Sequence, residues 1–154
     1  MASQEELIIR KAITKDQIQQ CYDIRIEVFV HEQNCSLESE IDEYDPVSHH
    51  WLALLPGNPE LVVGTIRLYI KPGTNVGKIG RVTVKATLRG LRIGARLMAE
   101  CERYARESLE VVEFVLNAQQ DKAKFYEKLG YVVDEGIAVF CEEGIPHVRM
   151  TKAA

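Results

Sequence analysis

Basic excess, long apolar runs and paired cysteines are all missing from this chain. Lys and Arg total 19 against 23 Asp and Glu, a net charge of −4. A surface built for nucleic-acid phosphates carries the opposite sign, so nucleic-acid binding is not expected. No apolar run approaches the ~20 residues that a membrane-crossing helix needs. The opening MASQEELIIRK lacks a cationic start followed by an apolar core, so no secretory leader is expected. Cys21, Cys35, Cys101 and Cys141 are scattered and form no C-x-x-C pair. In a chain without a leader, that scatter implies reduced thiols and a cytoplasmic location. Internal repeats, low-complexity segments and linkers are absent as well.

What remains is an ordinary globular composition. The 154 residues are 46% apolar and 27% charged, which fits one domain spanning 1–154 with a sizeable core. Residues 7–12 read as a strand. Thr14, with Gln17 three positions on, makes a capping box. The helix it opens carries Ile18, Cys21, Tyr22, Arg25, Val28 and Phe29 on one face and should end near 30–33. Residues 34–48 read as irregular and acidic, with Glu38, Glu40, Asp42, Glu43 and Asp45 close together and Pro46 stopping any helix. Such a run is ordinarily a solvated loop; alternatively it draws a cationic amine toward a cleft. Strands at 51–55 and 61–70 are joined through Pro56-Gly57-Asn58-Pro59 into a hairpin, and a turn at 72–75 leads to a strand at 78–84. A helix over 91–108, a buried-type strand over 111–116, a helix over 119–129 stopped by Gly130, and strands at 131–133, 137–141 and 145–150 complete the chain. Strand–helix–strand passages imply parallel neighbours and hairpins imply antiparallel ones, so the fold class is a mixed α/β layer structure.

The stretch 78–95 runs from strand through a glycine-bearing turn into a helix N-terminus. Its unpaired N–H groups and the helix dipole attract phosphate at one place. Arg89-Gly90-Leu91-Arg92-Ile93-Gly94-Ala95 resembles the acetyl-CoA pyrophosphate loop of the GNAT superfamily of N-acetyltransferases, Gln/Arg-x-x-Gly-x-Gly/Ala. Arg92 replaces the middle glycine. The backbone N–H survives that change but the conformational freedom does not, so the phosphate site is expected to persist only with ordinary helical angles at 92. The spacing is neither that of a nucleotide P-loop nor G-x-G-x-x-G. Leu116-Asn117-Ala118-Gln119, followed by Ala123 and Phe125-Tyr126-Glu127-Lys128-Leu129-Gly130-Tyr131, resembles the other GNAT signature. Residues 25–33, with Asp42, Asp45 and His49 downstream and the 143–150 ending, resemble the ElaA-like and YjcF-like branch.

The resemblance implies a mostly antiparallel sheet splayed between its fourth and fifth strands, with helices on both faces, acetyl-CoA as cosubstrate and no metal. It places the pantetheine arm along Val82, Thr83 and Val84. The pyrophosphate falls on the amides of residues 90–95, with Arg89 and Arg92 as countercharge. Asn117 would hold the pantetheine amide and Lys128 a CoA phosphate. An amine would attack the thioester directly, with an oxyanion held by an N–H near Val84 and Tyr126 as the general acid. Glu32 and His147 are the candidate bases, each with a structural alternative: a loop anchor and a satisfied histidine. His49 and His50, with Asp42 and Asp45, match no strong zinc spacing and are expected to pin the acidic loop by hydrogen bonds. Arg81 is expected to pair with an acid of that loop. The acceptor is expected to be a small amine or amino sugar, with a protein lysine or N-terminus as an alternative. A CoA-binding module without catalysis is the reading from another class. A homodimer is compatible with the resemblance.

Overall fold

Thr14 starts the first helix in the way its neighbours dictate. Its hydroxyl accepts from the Gln17 amide at 3.1 Å, while the Gln17 side chain accepts from the Thr14 amide at 3.0 Å. The computed structural model describes residues 7–57, 59–89 and 92–154. Gly90 and Leu91 of the expected pyrophosphate loop, Asn58 of the hairpin turn and the first six residues lie outside the described residues.

The described elements run β1 (Ile8–Lys11), α1 (Lys15–Arg25), a one-turn α2 (Leu37–Glu40), β2 (His49–Leu55), β3 (Leu61–Ile70), β4 (Val76–Val84), α3 (Ile93–Ser108), β5 (Glu113–Gln119), α4 (Ala123–Lys128), β6 (Val132–Val133), β7 (Phe140–Glu142) and β8 (Ile145–Ala153). The α1 rod continues through a π-helical turn, Ile26–Glu32, whose widened spacing shows in the bond from the Gln33 amide to the Val28 carbonyl at 3.0 Å. Such turns are frequent at functional sites. Several expected boundaries shift. The expected 119–129 helix shortens to α4, because β5 holds its pairing with β8 as far as Gln119. The strand expected at 137–141 is β7, and the 34–48 loop contains α2.

The strand order is β1-β2-β3-β4-β5-β8-β6, with β7 on β8. Every pairing is antiparallel except β4 with β5. Alternation along β2 explains the two layers of helix. Trp51 and Ala53 join the core under α3, where Leu97, Met98, Cys101 and Ala105 are buried. Leu52 and Leu54 face the other way and pack with Cys21 and Ile18 of α1. Burying one such leucine contributes about 1.5–3 kcal/mol, so the two faces together fix which helix lies where.

Arg92 overturns one expectation. It takes φ 60 and ψ 22, the left-handed region, not helical angles. The chain therefore keeps the conformation a glycine would supply there, at a cost of roughly 1–2 kcal/mol for a residue with a Cβ. Arg92→Gly should remove that strain while adding unfolded-state entropy, leaving unfolding free energy within about 1 kcal/mol of the parent in urea titration.

Candidate active site

β4 and β5 share only four residue pairs, Val76–Ile79 against Glu113–Leu116. Beyond Ile79 and Leu116 the two edges part. A bulge in β4 assists. Thr65 of β3 pairs with Thr83 and Arg67 with Gly80, so Arg81 and Val82 together oppose one residue of β3, and Arg81 sits at φ 53. A bulge bends its strand and leaves backbone groups unpaired. Where the strands part, a cavity of about 850 Å³ opens, lined on its edges by Val82, Val84, Leu116 and Asn117.

At one mouth of the cavity stand Arg89, Arg92, Ile93, Gly94, Ala95, Lys122 and Lys128. Gly94 allows a close approach: a Cβ there would come within 3.2 Å of the Phe125 ring and would need that ring to shift, where α4 leans on the first turn of α3. The mouth thus combines four cations with the N-terminus of a long helix, a combination suited to a polyanion. Lys122 belongs to neither signature, so no linear pattern marks it. Thr83 does not line the cavity. It is buried, and its hydroxyl donates to the Arg81 carbonyl at 2.8 Å, which braces the bulge.

Arg89 is engaged twice. It forms a bidentate pair with Glu32, with Nη2 to Oε2 at 2.8 Å, and its Nε and Nη2 donate to the Val84 carbonyl at 3.2 and 3.1 Å. The Arg89 hydrogen bonds hold the Glu32 carboxyl below its ordinary value. Glu32 does not line the cavity. Both facts weaken it as a base and fit the alternative, a loop anchor.

Tyr126 lines the cavity half-buried, with Phe125 edge-on at 4.9 Å and Tyr131 at 6.2 Å. Burial pushes its phenol above the ordinary value, so it stays protonated at neutral pH. Its hydroxyl has no hydrogen-bond partner among the described residues. His147 is buried at the far end. Its Nδ1 lies 2.7 Å from the Ile145 carbonyl and must carry the proton there, which leaves Nε2 with a lone pair in the neutral ring. Nε2 is 3.8 Å from Glu142 Oε2, and Phe140 stacks on the ring at 6.0 Å. Asn117 Nδ2 donates to Glu142 Oε1 at 3.2 Å. Lys128 lines the cavity from an exposed position on α4.

The far end is a polar chamber floored by Lys78 and Arg67 and walled by Asp42, Tyr44 and Glu142. The reading of the acidic stretch as a solvated loop is overturned for Glu40 and Asp45, which are 5% and 2% exposed. The reason is three arginines from distant elements. Arg25 binds Asp45 in two-pronged fashion at 2.7 and 3.0 Å, Arg67 reaches Asp42 at 2.8 Å, and Arg81 reaches Glu40 at 2.9 Å. His50 Nε2 adds a bond to the Asp45 carbonyl at 3.0 Å. The expected pairing of Arg81 with this loop is present. Among the described residues no group of three His, Cys, Asp or Glu is placed to hold a metal ion.

The β7–β8 turn borders the chamber. Glu143 and Gly144 both take positive φ, the two-residue turn that suits the β7–β8 hairpin. The turn presents the Glu143 carboxylate to the Ser36 amide at 3.1 Å and to the Ser39 hydroxyl, tying α2 to the hairpin.

Residues 9–154 match the acetyltransferase (GNAT) domain family. The chain is 36% identical over 142 residues to YjcF of Bacillus subtilis, described as an uncharacterized N-acetyltransferase, covering 92% of this chain and 96% of that one. It is 33% identical over 130 residues to ElaA of Escherichia coli, covering 84% and 82%. The crystal structure of ElaA superposes with a TM-score of 0.79 over 96% of this chain and 98% of that one, at 27% identity. An acyl-CoA N-acyltransferase from Pseudomonas aeruginosa superposes with a TM-score of 0.79 at 28% identity, again over 96% and 98%.

Proposed function

The chain belongs to the GNAT acetyltransferase family, and we propose that it transfers the acetyl group of acetyl-CoA to a primary amine of a small molecule. The observation that carries this reading is the parting of β4 and β5 beyond Ile79 and Leu116, with one cavity running from a cationic mouth through the gap to a polar chamber. Acetyl-CoA supplies a thioester already activated toward an amine, so no covalent enzyme intermediate is required.

The residues then divide the work. Arg92, Lys122 and Lys128 offer countercharge to phosphates, with the first turn of α3 supplying amides. The unpaired edge of Val82 and Val84 offers backbone partners to an extended arm. Tyr126 holds a proton for the leaving thiolate, and His147 Nε2 is the group placed to take one from the amine. The bridge from Glu143 to Ser36 and Ser39 roofs the acceptor side, which favours a small acceptor over a polypeptide.

The test is release of free CoA with acetyl-CoA and a panel of amines. No release with any amine would reject the reading. Glu32 enters through Arg89, since their pair must loosen before Arg89 can turn to a phosphate. An exposed pair of this kind contributes about 0–1 kcal/mol. Glu32→Gln should therefore lower the KM for acetyl-CoA by up to about fivefold and leave kcat within about twofold. A large fall in kcat with normal KM would restore Glu32 as the base.

A further inference from the structure

Among the cations lining the acceptor chamber, one has no hydrogen-bond or ion-pair partner among the described residues. Arg67 Nη1 is shared between Asp42 at 2.8 Å and Asp45 at 3.1 Å. Arg81 is matched by Glu40 at 2.9 Å and Asp42 at 3.3 Å. Glu143 is taken by Ser36 and Ser39. Lys78 lines the same chamber half-buried and makes no hydrogen bond or ion pair among the described residues.

The sheet register explains why Lys78 is there. Its neighbours Gly77 and Ile79 face the α3 core, so Lys78 projects to the α1 side, between Tyr69 of β3 and Val115 of β5. On that side, two residues further along β5, stands Asn117, which holds Glu142, and His147 of β8 lies opposite Gln119. Burial lowers the Lys78 ammonium pKa, and Glu142 acts in the opposing direction from beyond ion-pair distance. A half-buried cation facing a cavity is a strong donor to whatever anion enters. The chamber therefore offers a cation at one end and a carboxylate beside a histidine at the other.

We propose that the acceptor is an amino carboxylate, an α-amino acid or a close relative, with its carboxylate on Lys78 and its amine beside Glu142 and His147. This rests on the acetyl-transfer reading and names the substrate class of that site. In the reaction the amine nitrogen forms a bond to the acetyl carbon, and the carbon–sulfur bond breaks with its electron pair leaving on sulfur. Tyr126 delivers a proton to the thiolate; of the two protons the ammonium gives up, one restores the Tyr126 phenol and the other reaches solvent through His147.

The experiment compares amino acids with amines that match them but lack the carboxylate: phenylalanine with phenethylamine, histidine with histamine, lysine with cadaverine, within a panel of the common amino acids. Free CoA release is read for the wild-type chain, Lys78→Met and Lys78→Arg, and acetyl-CoA titration checks that each variant is folded. At least one amino acid should exceed its partner in kcat/KM by about 10- to 100-fold, the scale of one hydrogen bond to a charged group. Lys78→Met should bring that ratio close to one, and Lys78→Arg should keep most of it. Turnover confined to amines without a carboxylate, or a ratio that survives Lys78→Met, overturns this inference and leaves acetyl transfer standing. Silence with every amine overturns both.

Discussion

Tyr126→Phe should lower kcat by about 10²- to 10⁴-fold while the affinity for acetyl-CoA stays within about twofold, measured by CoA release and calorimetry on the same preparation. The separation follows from what the hydroxyl touches. The Tyr126 ring packs against Phe125 and Tyr131, and a phenylalanine keeps both contacts. Only the O–H is lost, and it has no partner among the described residues that would be left orphaned. The fold and the cationic mouth should therefore survive the change. Because burial raises the phenol, Tyr126 remains protonated through neutral pH and into the alkaline range where an exposed tyrosine begins to ionise. An acid that stays protonated predicts no loss of turnover from this group as pH rises from 7 toward 10. Turnover unchanged in Tyr126→Phe would remove the residue from the mechanism.

The parts of the site legible in the sequence are those written locally. Asn117 and Tyr126 lie nine residues apart on one strand–helix passage, and 89–95 are contiguous in the chain, so both signatures survive as linear patterns. Lys78 and Glu142 could not be found that way. Their approach to one chamber depends on β4 pairing with β5 and β5 with β8, contacts spanning tens of residues, before the local β7–β8 hairpin can bring Glu142 in. The burial of Asp45 is illegible in the sequence for the same reason, since its partners Arg25 and Arg67 sit on two other elements, whereas the Arg81 pairing is foreseen. Arg92 failed differently. A helix N-terminus invites helical angles, yet the residue that precedes α3 takes the left-handed region, which local preference for a residue with a Cβ does not foretell.

That buried charge cluster also sets the other large effect. Asp45→Asn should destabilise the fold by about 3–5 kcal/mol in urea titration, with the slope unchanged. Arg25 is 0% exposed, and its guanidinium depends on the Asp45 carboxylate at 2.7 and 3.0 Å. Asparagine preserves the shape and removes the charge, which leaves a buried cation with the Glu40 carbonyl at 2.7 Å and the Glu40 carboxylate only at 3.9 Å. The pH dependence checks the cause. Burial alone would raise the Asp45 carboxyl, but the Arg25 hydrogen bonds and charge, with Arg67 behind them, hold it well below the carboxylate range. A carboxyl depressed by folding adds stability that is full above its unfolded value near ~3.9 and is lost as pH falls below it toward the folded one. The wild-type chain should accordingly lose stability steeply below about pH 4, and Asp45→Asn should flatten that limb while sitting lower at pH 7. A variant as stable as its parent at pH 7 would mean that the arginines, not the carboxylate, carry the balance, and that Arg25 finds its countercharge in Glu40.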